Sequence, residues 1–302
     1  MPSRGANRGR ASRPAGRART PVLQCNRSAT RRELELQRGR DALTTAGRDA
    51  GATEDTLKLF CLVLTLLFAL SAFAATPKNV SYKSGDETVQ ALLYTPEGKG
   101  PFPGIVVIQE YWGLNDWIKQ QASKLSDLGY VALAIDLYRG KVATTPDEAH
   151  ELMRGLPEDR AKRDLHAAFE FLQSQSSVKK DRIASIGWCM GGGFSLDMAL
   201  QEPTLKADVI NYGHLATDAD SLKKINAAIL GSFGGKDRGI SPDDVKKFEQ
   251  TLKQLGKNVN IVIYPDAGHA FENPNNKDGY RPDDAADAWK RTVKFLADTL
   301  GK

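Results

Sequence analysis

From residue 103 onward, short apolar runs alternate with stretches of helical character. "RIASIG" (182–187), "ADVINYG" (207–213), "AAILGSFG" (227–234) and "VNIVIYP" (259–265) read as strands, and "PGIVVIQE" (103–110) and "YVALAIDLY" (130–138) are the most continuously apolar. Such runs read as strands covered on both faces. Between them the pattern predicts helices over 115–128, 146–156, 157–174, 193–201, 241–255 and 283–300. The clearest is 241–255. Ser241 stands as N-cap, Pro242 follows, Asp244 sits in the first turn, and Val245, Phe248, Leu252 and Leu255 recur at helical spacing before Gly256. Strand–helix alternation requires parallel pairing. The expected fold is a three-layer α/β sandwich with a mostly parallel sheet. "VSYKSGDETVQALLYTP" (80–96) adds two strands joined by a turn at its start. With no Pro/Ser linker dividing this part, a single domain over 75–302 is expected.

What precedes it is different. Residues 1–56 hold twelve Arg, no Lys and six acidic residues, a net +6. The whole chain has 42 basic and 37 acidic residues, so the rest has 30 and 31, a net −1. The basicity belongs to this extension, which reads as disordered or non-native. Nucleic acid is therefore not expected as a partner, although an Arg-rich binding arm is the reading that the extension alone would carry. Next, "KLFCLVLTLLFALSAFAAT" (58–76) sets a Lys before an apolar run, then Ala72-Phe73-Ala74. That order is the order of a secretory signal peptide, here over 57–74 with cleavage after Ala74. A buried core helix or an uncleaved anchor are the other readings. The expected location is the periplasm or outside the cell, and the cytoplasm if the segment is not used. A signal this far along points to a start near Leu57. After cleavage no stable membrane span is expected.

Cleavage also changes the cysteine count. Cys25 and Cys61 are lost, so Cys189 becomes the one thiol of the mature chain. It sits in "GWCMGGG", between a predicted strand and a predicted helix. Gly187-Trp188-Cys189-Met190-Gly191 fits G-x-S-x-G with cysteine in the serine place. A sharp turn there needs small neighbours so that strand and helix can approach, and a helix N-terminus favours thiolate. Alone, the pattern serves equally a small buried hydrophobe beside a Gly-rich turn. Asp237 after "AAILGSFG" and His269 after "VNIVIYP" weigh against that reading, because both would stand on the same sheet edge as Cys189. Their roles follow: Cys189 as nucleophile, His269 as the group that takes its proton or holds it in an imidazolium–thiolate pair and later protonates the leaving group, Asp237 as the carboxylate that orients the ring. Asp266 is a rival acid. His150 and His166 fall in predicted helices and are expected on the surface. His214 follows a strand and is a candidate for reaching substrate. Backbone N–H groups of Tyr111 and Met190 are candidates for an oxyanion hole.

"QEYWGLN", "DLYRGK", "GWCMGGG", and "GHAFEN" with the downstream "AADAWKRTVKF" resemble the dienelactone hydrolase family over roughly 78–300. The resemblance implies a hydrolase of a small ester or lactone, with an acyl-enzyme on a Cys189–His269–Asp237 triad. With no H-E-x-x-H, no clustered His/Cys ligand set and no G-x-G-x-x-G after a strand in the sequence, no cofactor and no metal are expected. The resemblance also implies that Glu110 contacts the thiol and modulates its protonation, with Trp112 beside it as a substrate contact. Family members hold a lactone carboxylate with two arginines. Arg139 is near one of those places and Asn273 occupies the other. The alternative is a non-catalytic binding protein of the same fold. Oligomeric state and physiological substrate are not specified.

Overall fold

A computed structural model describes residues 77–301. The Arg-rich extension over 1–56 and the segment over 57–74 whose order suggests a signal peptide lie outside the described residues. In chain order the elements are β1 (Lys78–Ser84), β2 (Glu87–Tyr94), β3 (Phe102–Ile108), α1 (Asp116–Asp127), β4 (Val131–Ile135), α2 (Pro146–Arg154), α3 (Glu158–Ser174), β5 (Val178–Trp188), α4 (Met190–Gln201), β6 (Ala207–Asn211), α5 (Ala219–Leu222), β7 (Ala228–Gly234), α6 (Pro242–Gln254), β8 (Val259–Tyr264) and α7 (Pro282–Leu300). They build one eight-stranded sheet in the order β1-β2-β4-β3-β5-β6-β7-β8. β1–β2 and β2–β4 pair antiparallel; every later pair is parallel.

Two apolar layers cover the sheet. On one face, Leu165 and Phe169 of α3, Leu196 and Met198 of α4, and Phe248 and Leu252 of α6 pack on Val106, Ile108, Leu133 and Ile229. On the other, Trp117, Ile118 and Leu125 of α1 and Ala288, Leu296 and Leu300 of α7 pack on Ile105, Val107, Ala134 and Val209. Strands β3, β4, β6 and β7 are buried nearly throughout, as continuous apolar runs require. Each such Leu, Ile or Phe contributes roughly 1.5–3 kcal/mol by leaving water.

The helices start where their caps predict. Asn115 accepts from Ile118 N at the head of α1, and Ser241 accepts from Asp244 N at the head of α6. Several expected boundaries shift; β5, expected over 182–187, already starts at Val178. The strand expected over 130–138 ends at Ile135, because Asp136 turns the chain. Its Oδ1 accepts from Tyr138 N at 2.9 Å and its Oδ2 from Gly140 N. The helix expected from 193 begins at Met190, immediately after Cys189. Glycine's weak helix propensity hid its first turn. Among the described residues no helix is long and apolar enough to cross a membrane.

Chain order reverses between β3 and β5, which lie side by side while their connections leave in opposite directions. Ligand crevices form outside the carboxyl ends of strands at such a point. Glu110 follows β3 and Cys189 follows β5.

Candidate active site

Cys189 has φ +55° and ψ −121°, an uncommon conformation for a residue with a side chain. Strand β5 must turn straight into α4, and only small residues permit it. A Cβ on Gly187 would overlap the Gly191 carbonyl, and one on Gly191 would lie 2.5 Å from the Ile108 and Gln109 carbonyls. Cys189 N donates to Asn211 O at 3.0 Å, which ties the elbow to the end of β6. The thiol is left partly exposed at the head of α4.

His269 follows β8 and bridges two partners. Its Nε2 lies 3.1 Å from Cys189 Sγ, and its Nδ1 lies 2.7 Å from Asp237 Oδ2. Asp237 follows β7, with its side chain 1% exposed. Its other oxygen accepts from Gly239 N at 2.8 Å and Ile240 N at 3.1 Å. Burial opposes the Asp237 carboxylate, yet the His269 hydrogen bond and charge and these two N–H groups hold its pKa below the ordinary value. Burial likewise opposes an imidazolium at His269. The hydrogen bonds to Asp237 and Cys189 and their charges outweigh it and push the ring up to about 10. The rival acid Asp266 is bound to Lys236 Nζ at 2.7 Å on the surface.

Glu110 is 1% exposed, and burial raises its carboxyl to about 7 against the Asn273 hydrogen bond and the His269 charge. Its Oε2 accepts from Asn273 Nδ2 at 2.7 Å, whereas the thiol's hydrogen bond runs to His269. The Tyr212 hydroxyl lies near Glu110 without completing a hydrogen bond. The Tyr212 ring stands edge-on to the His269 imidazole, 5.3 Å between centroids.

Around Cys189 and His269 opens a cleft of about 660 Å³. Glu110, Tyr111, Trp112 and Asn273 line it, as do Pro146, His150 and Met153 of α2 and the loop residues Asn275 to Asp278. Met190 is the first residue of α4, so its N–H has no partner within the helix. Two expected substrate contacts are elsewhere. Arg139 reaches Glu87 at 2.6 Å and Asp164 at 2.8 Å; the fully buried Asp164 carboxylate needs that cation. His214 is exposed and stands against Gly193, outside the cleft lining. His150, expected merely on the surface, is exposed but also lines the cleft. Its ring meets Tyr111 edge-on at 5.3 Å. The signal was the spacing of Pro146, His150 and Met153, which puts them on one helical face.

The sheet order, the two helical layers and the strand–turn–helix elbow define an α/β-hydrolase. The chain belongs to the dienelactone hydrolase family, whose model matches residues 89–300. A protein of Methylorubrum extorquens named "Putative carboxymethylenebutenolidase" is 34% identical over 220 residues, covering 68% of this chain and 75% of that one. A Bradyrhizobium protein named "Probable 2-oxo-3-(5-oxofuran-2-ylidene)propanoate lactonase" is 30% identical over 230 residues, covering 72% and 92%. The solved structure of a dienelactone hydrolase-like promiscuous phosphotriesterase from metagenomic libraries superposes with a TM-score of 0.70 at 26% identity, covering 76% of this chain and 100% of that one. The chain is thus a dienelactone hydrolase-like hydrolase of esters or lactones.

Proposed function

We propose that hydrolysis proceeds on Cys189 through an acyl-enzyme, with His269 and Asp237 completing a triad. The observation that carries this reading is the hydrogen-bonded line from Asp237 through the imidazole to the thiol, at 2.7 and 3.1 Å. His269 holds the Cys189 proton on Nε2 as an imidazolium, in keeping with its raised pKa, and the sulfur attacks the ester carbonyl as thiolate. Asp237 holds the ring in the tautomer that presents Nε2. The oxyanion that forms accepts from the N–H groups of Met190 and Tyr111. Collapse breaks the C–O bond, and His269 gives its proton to the leaving alkoxide. Water, deprotonated by the same nitrogen, then attacks the thioester and frees the acid and the thiol.

The substrate is an uncharged ester or lactone. No arginine lines the cleft, Lys277 stands beside Asp278, and Glu110 is answered by an amide instead of a cation. An entering carboxylate would meet no arginine fork and would stand near the buried Glu110 carboxyl, which disfavours it. Export with cleavage after Ala74 belongs to the same proposal and rests on the order of Lys58, the apolar run and Ala72-Phe73-Ala74. N-terminal sequencing of native protein checks that part.

The deciding experiment is turnover of an aryl ester with mass analysis of quenched protein. The proposal expects an acyl adduct on the Cys189 peptide and none in Cys189→Ala. Turnover without any adduct, or an active Cys189→Ala protein, rejects it.

A further inference from the structure

Ala270 follows His269 directly and has φ +56°, in the left-handed region that a residue with a Cβ rarely adopts. Something must hold it there. One side chain grips both peptide carbonyls of this turn: Asn276 Nδ2 donates to His269 O at 3.1 Å and to Ala270 O at 3.2 Å. Asn276 is itself fixed on three sides. Its N–H donates to Asn273 O at 3.0 Å, and its carbonyl accepts from Gly279 N at 3.1 Å and Tyr280 N at 2.8 Å. A Cβ on Gly279 would overlap the Asn276 amide, so that approach needs glycine. The ends of the loop are anchored by Phe271, fully buried, whose carbonyl accepts from Arg281 N at 3.0 Å.

The imidazole has partners on opposite sides, Asp237 and Cys189. Turning the His269–Ala270 peptide would swing the ring off that line. We propose that Asn276 is a positioning residue: it locks the left-handed Ala270 turn, so that the His269 ring spans Asp237 and Cys189. An amide suits the task because one planar nitrogen supplies two donors. Aspartate has nearly the same shape, but ionised it only accepts, and would set negative charge against two carbonyls. The inference rests on the reading of His269 as the base.

The test compares Asn276→Asp, Asn276→Ala, Asn276→Ala/Ala270→Gly and His269→Ala in the full chain, each checked for folding by circular dichroism. Steady-state kinetics on an aryl ester give kcat and KM, and NMR of the ring protons follows the His269 titration. Misplacing a reacting group slightly costs as much as about 100-fold in rate. Asn276→Asp and Asn276→Ala should therefore lower kcat by roughly 10- to 100-fold and leave KM within about threefold. The His269 pKa should fall from its raised value, because its contacts loosen. Ala270→Gly should restore part of kcat in the Asn276→Ala background, since glycine adopts positive φ without steric penalty. That double variant also serves if Asn276→Ala fails to fold. A folded Asn276→Asp with unchanged kcat and His269 titration, beside an inactive His269→Ala, overturns the inference alone. A His269→Ala protein with wild-type turnover overturns the reading of His269, and this inference with it.

Discussion

Asn273 donates its side-chain N–H to Glu110 Oε2 at 2.7 Å, and the two residues are 3% and 1% exposed. The position where the family resemblance implies an arginine is thus occupied by an amide bound to a buried carboxyl. An amide hydrogen bond steadies the carboxylate but does not cancel its charge, so burial prevails and Glu110 titrates near 7.

This titration should be visible in substrate choice. As pH rises through about 7, Glu110 becomes negative and a carboxylated substrate meets a like charge. The ratio of kcat/KM for a matched carboxylated and neutral ester should fall with that rise, by about 1–2 kcal/mol at an intermediate effective dielectric. Triad ionisations affect both substrates and divide out. In Glu110→Gln the ratio should stay flat; an unchanged inflection there would assign it to another group.

Asn273→Arg supplies the missing cation. It should lower the pH at which Glu110 ionises and favour the carboxylated member of the pair by about 1–3 kcal/mol, the range of a hydrogen bond to a charged group. The same comparison in Arg139→Ala should leave the ratio alone, because Arg139 serves Glu87 and Asp164. A shift in Arg139→Ala and none in Asn273→Arg would reverse the assignment.

Cys189→Ala and His269→Ala should each lower ester turnover by roughly four to six orders of magnitude, with Asp237→Asn costing less. Residues that act as a unit are not additive, so the Cys189→Ala/His269→Ala protein should be little worse than either single variant. Multiplying losses would mean that thiol and imidazole act independently.

Strands, helices and chain order were legible because apolar runs and caps are local signals, and Cys189, Asp237 and His269 could be grouped because parallel strands bring their carboxyl ends to one edge. Arg139 and His214 stand outside the cleft lining for a shared reason. Sequence places a residue near an edge but does not say which way its side chain turns. The buried Asp164, far off in sequence, decides the first, and Gly193 lets the second lie against α4. His150 was read as a surface residue because nothing local says what stands opposite a short, largely exposed helix; Tyr111 does. Asn276 gave no signal, since its work is done on backbone carbonyls.

Asp208 should govern part of the pH dependence of stability. It is fully buried, and accepts from Ser185 at 3.0 Å and Ser195 at 2.5 Å. Burial raises its pKa from 3.8 to about 7 against these two hydrogen bonds. Between those values the folded state binds the proton that the unfolded state has released. The stabilisation is complete below about 4 and is lost as pH rises through 7, with an upper bound on the order of 4 kcal/mol. Asp208→Asn cannot ionise. Its thermal midpoint should come closest to wild type at or below about pH 4 and exceed it increasingly up to pH 8; parallel curves would reject the assignment.

The face of α2 should set the size of the group that the cleft accepts. Pro146, His150 and Met153 line it, spaced by four and three residues, and Tyr111 backs the His150 ring edge-on. Arg139 is held by Glu87 and Asp164, so what α2 offers the cleft is the Pro146, His150 and Met153 side chains. Aromatic contacts of this kind contribute about 0.5–1.5 kcal/mol beyond area burial. His150→Ala should therefore lower kcat/KM for esters with a bulky or aryl acyl group by roughly 2- to 12-fold, mainly through KM. Acetyl esters, too short to reach α2, should be turned over as before. Met153→Ala should follow the same pattern, because it removes the next residue of the same face. Equal losses on short and bulky esters would show that α2 affects the elbow and not the fit of the substrate.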